Sequence, residues 1–566
     1  MLRNVTADTE EIFVPYDPID AGLLDDRTAE TLLREFRDSC ASAFPFVVIP
    51  QSVNAKVLRK SQPFLLHAIL TATAHRYPGL QRTLAGELKD QISYRIIKHS
   101  HKSLELLQGL LLFTGWYHFY YHPVKQQLAT MLQLCVAMVQ DLDLSKNPHD
   151  SRKKWLTGGN GGILHSARSL AEKRAFLGTF HLTAAFSQAW RKRTTLTHTR
   201  YMDQCCRHLA ECQEYPSDAL ITPLIQLSAL ICRVNDFFSY DDIENAEFKG
   251  EAFIQMSASN FENELARLAE SIPQNLLESH PTLRLSIRLS EIWIYECAVH
   301  GPLWDTSGGP STGRMSAPRL QILSRCLNAV RSYLKTVIAI PDASIHNLSF
   351  PSWSAWCYAC IIACKLVFLE EEHEQQTGVT ETYAEVFRVV MDKSLYREPG
   401  PCLLPTEVVS STWDPIAVAK ETEMLSLFHQ MYNKMKFTLP EELGVDKADN
   451  CDINPLSRVA QFQRNILCSL TNRMNEHIGK LVGPTRSNGS AQESTAIVAR
   501  ENWVAPQTDY AHERQERTRI PLLQNMQFNS MNFESIAPPE GAMPLDGPLS
   551  DWLWNSAVDD FTMPSF

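Results

Sequence analysis

From Val124 the run VKQQLATMLQLCVAMVQDLDL places Leu128, Met131, Leu132, Cys135, Met138, Val139 and Leu142 at steps of three and four. That spacing puts an apolar stripe along one face of an α-helix. Pro123 precedes the run where a first helical turn tolerates it, and Asn147-Pro148 ends it. The same periodicity predicts helices over Ala29–Phe36, Pro63–His75, Leu84–Leu112, Glu172–Trp190, Tyr201–Cys212, Ile221–Phe238, Phe261–Leu268, Thr282–Val299, Arg319–Ile338, Ser354–Glu372 and Ile416–Lys436. A last amphipathic helix is predicted over Val459–Leu481. Polar, turn-rich stretches at Thr157–Ile163, Asp305–Met315, Glu398–Thr406 and Pro440–Pro455 read as loops. No alternating strand series and no fixed repeat stands out. The fold class expected is all-α, a large helical bundle or solenoid-like array.

Composition supports this. Glycine is 23 of 566 residues, about 4% where about 7% is usual, which disfavours Gly-rich βαβ nucleotide-binding units. The apolar stretch Trp353–Leu369 is shorter than a membrane span and carries Lys365, so a core helix is expected. The N-terminus lacks the apolar stretch of a secretory signal, so the sequence reads as intracellular with reduced thiols. On that reading the acceptor patterns at Asn4, Asn347 and Asn488 carry no meaning. The formal net charge of −11 argues against a surface that grips nucleic acid throughout. That charge is unevenly placed. Residues 481–566 hold five arginines and eleven acids, and Lys480 is the last lysine. Ile536–Phe566 has five acids, no bases and the aromatics Trp552, Trp554, Phe561 and Phe566, the composition of a disordered acidic–hydrophobic tail.

Motifs for chemistry are sparse. Gly309-Pro-Ser311-Thr-Gly313 matches a nucleophile elbow, but its flanks lack the strand and helix that strain such a turn. Gly158–Gly162 lacks the Lys-Ser/Thr of a phosphate loop. His118 and His122 have a zinc-compatible spacing with no glutamate between them, and Pro123 follows. Cys205, His208 and Cys212 share one helical face, as do Cys357, Cys360 and Cys364. Reduced cysteine packs as a small hydrophobe, so core packing is expected of both sets, and no metal or catalytic site is assigned. Arg152-Lys153-Lys154 and Arg191-Lys192-Arg193 read as solvated helix ends, with nuclear localisation signals as the alternative. An enzyme is not expected.

Several blocks in order resemble the regulatory middle homology region of fungal Zn2Cys6 (binuclear zinc cluster) transcription factors. They are FPFVVIP (Phe44–Pro50), PFLLHAILTATA (Pro63–Ala74), SLELLQGLLLFTGWYHF (Ser103–Phe119), QLATMLQLCVAMVQDLDL (Gln127–Leu144), EKRAFLGTFHLTAAFSQAWRK (Glu172–Lys192), YMDQCCRHL (Tyr201–Leu209) and EYPSD (Glu214–Asp218). The resemblance implies a helical regulatory domain, nuclear residence and control of RNA polymerase II genes, often one biosynthetic or catabolic set. It also implies a possible small-molecule effector. The family's six-cysteine zinc module has no counterpart in these 566 residues: Cys40 is the first cysteine and Cys135 the next. No zinc ligand is therefore carried over, and no cofactor is assigned to this chain. Either the sequence begins after that module, or the chain acts through a DNA-binding partner or homodimer.

The expected organisation is an arm (1–20), a helical regulatory domain (21–445), a linker with an amphipathic helix (446–481) and a tail (482–566). Within the tail, Trp552, Leu553, Trp554, Val558 and Phe561 are the candidate activation residues, kept solvated by neighbouring acids and suited to a coactivator groove. The rivals are a helical scaffold or adaptor and a small-molecule-sensing protein without direct DNA contact.

Overall fold

The computed structural model describes residues 16–120, 127–147, 168–304, 315–369, 413–437 and 455–482. Among them there is no β-strand, and the all-α expectation holds. The principal helices are α1 (Asp26–Glu35), α2 (Ala55–Ser61), α3 (Pro63–Thr73), α4 (Pro78–Ile92), α5 (Leu104–Gly115), α6 (Leu128–Asp141), α7 (Leu170–Ala189), α8 (Arg200–Cys212), α9 (Asp218–Phe238) and α10 (Glu251–Ser271). They continue as α11 (Pro281–Tyr295), α12 (Ala317–Ile338), α13 (Phe350–Val367), α14 (Pro415–Glu421), α15 (Met424–Phe437) and α16 (Pro455–Val482).

Helix α7 lies at the centre, packed against α5, α6, α8, α9 and α13. Its sequence explains its place. Ala175, Phe176, Leu177, Phe180, Leu182 and Ala184 point in all directions and all are buried, and a helix apolar all round belongs in a core. Its start is fixed by a capping box, in which the Ser169 hydroxyl accepts from Glu172 N and Glu172 accepts from Ser169 N.

Two of the sequence blocks clasp this helix. In FPFVVIP, Phe44, Phe46 and Val47 are fully buried. Arg37 holds the block's far end by donating to the carbonyls of Ile49 (3.3 Å), Pro50 (2.8 Å) and Val53. Phe46 lies so close to α7 that a Cβ on Gly178 would sit 2.6 Å from the Phe46 Cβ. In EYPSD, Asp218 is the first residue of α9 and accepts two bonds from Arg174 of α7, at 2.7 and 2.8 Å. Glu214 adds a third at 2.8 Å, and the guanidinium stacks over Tyr215. EKRAF and EYPSD, distant in sequence, are thus two halves of one buried ion pair.

Helices α9 and α13 belong to the apolar segments long enough to cross a membrane, Asp218–Ile243 and Phe350–Val367, but 67% and 83% of those windows are buried within the fold. They are core helices, as expected for Trp353–Leu369. α16 also joins the core: Phe462 meets Trp356 edge-on at 5.1 Å, and Gln463 donates to the Phe428 carbonyl at 3.3 Å.

Several predicted boundaries change. The single helix predicted over Leu84–Leu112 is two, broken at Ser100, whose φ is 53°. Ile416–Lys436 divides at Glu423, with φ 56°. Both breaks use polar residues in the left-handed region, where glycine would have announced the turn. Phe261–Leu268 is only the middle of α10, which begins ten residues earlier at Glu251.

The close approach at Gly178 yields a contrast with Gly86, whose added Cβ would meet nothing within 4 Å in mid-α4. G178A should lower the stability measured by urea unfolding by about 1–3 kcal/mol through overpacking. G86A should raise it by about 0.4–1 kcal/mol by restricting the unfolded chain.

Candidate functional site

The C-terminus of α7 turns sharply. Trp190 N–H donates to the Phe186 carbonyl, Lys192 N–H donates to the Ser187 carbonyl, and Arg191 between them adopts φ 50°. This is the left-handed helix stop that usually takes glycine. Arginine there costs about 1 kcal/mol of backbone strain and aims its guanidinium into the protein.

That guanidinium lies 4.6 Å from the Trp293 ring centre, 5.2 Å from Tyr240 and 5.3 Å from Tyr358, and it donates to Glu296. Glu296, just beyond α11, is completely buried. Its two oxygens are also satisfied by Tyr358 O–H of α13 (2.5 Å) and His300 Nε2 (3.0 Å). Tyr240 O–H donates to the Trp293 carbonyl at 3.1 Å, and Trp293 stacks on Tyr358 at 5.1 Å. Burial alone would push the Glu296 carboxyl up. The Arg191 charge and the His300 and Tyr358 hydrogen bonds outweigh it and hold the group at about 2. Burial keeps His300 below its ordinary value, so it stays neutral.

The cage therefore joins α7, α11 and α13 with the turn after α9 through one anion and one cation. The Glu296 carboxylate is committed to holding these elements together. Beside it, Gln188, Leu289, Trp293, Ser354 and Tyr358 line a hollow of about 10 Å³, room for one water. The Trp293 indole N–H has no protein partner.

The expectation of a solvated Arg191-Lys192-Arg193 end, or of a localisation signal there, is corrected at its first residue. The Arg191 side chain is 11% exposed and paired inside the protein, while Arg193 is exposed and donates to Asp241 at 2.8 Å. The signal in the sequence was the lone acid in Trp-Ile-Tyr-Glu-Cys-Ala-Val (Trp293–Val299), an apolar run where a carboxylate needs a buried cation.

The remaining candidates fall as follows. Cys357, Cys360 and Cys364 are buried on α13 as packing residues. Cys205 and Cys206 are buried, whereas Cys212 is exposed with its sulfur 3.8 Å from His208 Nε2, so core packing fits only part of that face. His118 lies buried against Trp353 at 5.9 Å, and burial drives it down to about 3. Among the described residues no three His, Cys, Asp or Glu side chains form a metal-binding group. His122, Arg152–Lys154, Gly158–Gly162, Gly309–Gly313 and the tail residues Trp552, Leu553, Trp554, Val558 and Phe561 lie outside the described residues.

The sequence model of the WAR1 C-terminal domain matches residues 2–368. The chain belongs to that family. Arg191, Glu296, Tyr358 and the Arg174–Asp218 pair all fall inside the matched region. The resemblance to the regulatory region of fungal Zn2Cys6 transcription factors is borne out by the relatives of this family member. It is 29% identical over 354 residues to "Transcription factor himD" of Aspergillus japonicus, covering 62% of this chain and 58% of that protein. It is 24% identical over 375 residues to "Transcription factor opdL" of Penicillium oxalicum, 64% of each chain. "Transcriptional regulator WAR1" of Candida albicans is 24% identical over 372 residues, 63% of this chain and 36% of that one. The chain thus spans less than two thirds of the length of these relatives. No solved structure matches it significantly.

The cage yields a sharp expectation. R191G relieves the left-handed backbone yet strands the Glu296 carboxylate in the core. It should cost about 3–5 kcal/mol in urea unfolding, the figure for breaking a buried ion pair, where relief of backbone strain alone would stabilise.

Proposed function

We propose that this chain acts in the nucleus as the regulatory part of a fungal transcriptional regulator of RNA polymerase II genes, governing a biosynthetic (secondary-metabolite) or catabolic gene cluster. The observation that carries this reading is family membership over residues 2–368, with relatives named as transcription factors or regulators. The chain is read as a regulator without catalytic activity, in which the helical domain (21–445), with the linker and amphipathic helix that follow it (446–481), controls a tail (482–566). The tail's Trp552, Leu553, Trp554, Val558 and Phe561 dock transiently into an apolar coactivator groove, with Asp551, Asp559 and Asp560 keeping them in water until they do.

The small-molecule-receptor reading gains nothing from the arginine cage, whose adjoining hollow of about 10 Å³ has room for one water but not for an effector-sized ligand. The scaffold reading separates from ours at the tail. Residues 482–566 fused to a heterologous DNA-binding domain should activate a reporter gene in yeast. W552A/W554A/F561A should reduce that activation roughly tenfold, the loss expected when aromatic anchors are truncated. An inert fusion would leave the scaffold reading in its place.

A further inference from the structure

Among the described residues a few large apolar side chains are exposed; Val57, Tyr77 and Ile97 are scattered along the chain, whereas three others are clustered. Phe248, Phe253 and Met256 are 46%, 45% and 55% exposed, and all three lie within nine residues at the start of α10. Phe253 and Met256 stand one turn apart, while Ile254 between them is fully buried and roots the helix. The Phe253 ring lies 5.6 Å from Phe237, which in turn meets Phe261 at 5.7 Å.

This surface is held in place. Lys249 N–H donates to the Leu303 carbonyl at 3.3 Å, Gly250 turns the chain at φ 80°, and the Lys249 ammonium sits 5.1 Å from the Phe237 ring centre. Pre-ordering of this kind removes part of the entropic cost of binding.

Charge and size choose the occupant. Asp236, Glu247 and Glu251 are exposed next to Phe237, Phe248 and Phe253. The nearby Arg233 is already paired with Glu264. Lys249 lies among these acids over Phe237, so three carboxylates against that one ammonium leave the rim acidic on balance. The acidic segment Ile536–Phe566, which has no bases, would bring like charge to it. The three side chains expose roughly 250 Å² of apolar surface, well short of the ~800 Å² per partner of a stable dimer, but enough for the anchor residues of one helix. We propose that Phe248, Phe253 and Met256, with their acidic rim, form a docking surface for a basic amphipathic helix of a protein partner.

The test uses the full chain and a labelled Leu/Lys/Ala amphipathic peptide of about five turns, read by fluorescence anisotropy. The peptide should bind, with affinity falling as salt rises. F253S/M256S should weaken binding roughly tenfold while leaving the urea midpoint unchanged. E247K/E251K should weaken it too and admit the counterpart peptide in which every Lys is Glu. The proposal is overturned if F253S/M256S binds as tightly as the parent chain, or if the Glu peptide binds the parent equally well. It is also overturned if sedimentation shows a dimer that F253S/M256S dissociates, which would assign the patch to a second copy.

Discussion

Helix α7 is buried along nearly its whole length, and it carries a guanidinium near each end. A cation taken out of water needs an anion in the core, so the rest of the fold is arranged around supplying two of them. Near the N-terminal end Arg174 receives Asp218 and Glu214, which fixes where α9 begins. Past the C-terminal end Arg191 receives Glu296, which fixes the exit of α11 and draws Tyr358 of α13 to the same point. Both cations also stack on aromatic rings, which shields them without competing for their hydrogen bonds. Four helices are thereby held in register by two charge pairs, while the apolar contacts supply the bulk of the burial.

The helix termini favour this arrangement. Asp218 sits in the first turn of α9, where an acid meets the positive end of the helix dipole, and Arg191 lies past the last turn of α7, where a cation meets the negative end. The left-handed backbone at Arg191 is unfavourable for a side chain with a Cβ. It persists because the alternative leaves Glu296 buried and unpaired. A purely apolar joint would hold the helices together with less positional definition, since apolar packing tolerates small shifts that a satisfied carboxylate does not.

How much of this was legible depended on range. A helix with one clean apolar stripe, such as Gln127–Leu144, could be placed from periodicity because that signal is local, and Glu172–Trp190 could be placed from the length of its apolar run, which is local too. The breaks at Ser100 and Glu423 could not, because neither residue announces a left-handed turn. The first turns of α10 were hidden for a related reason: Phe253 and Met256 lie off the buried stripe and spoil its period. Arg191 resembled its basic neighbours Lys192 and Arg193, and nothing within a helical turn shows that its partner lies 105 residues away. The family blocks were recognisable as strings well before their cause, since EKRAF and EYPSD meet only in three dimensions.

The clamp at the end of α7 is most directly tested by a double-substitution cycle in urea unfolding with R191M, E296L and the two combined. An internally satisfied ion pair predicts that each single change costs about 3–5 kcal/mol and that the combination costs clearly less than their sum, because neither charge is then left alone in the core. Single changes below about 1 kcal/mol, the range of exposed pairs, with strictly additive effects, would contradict it.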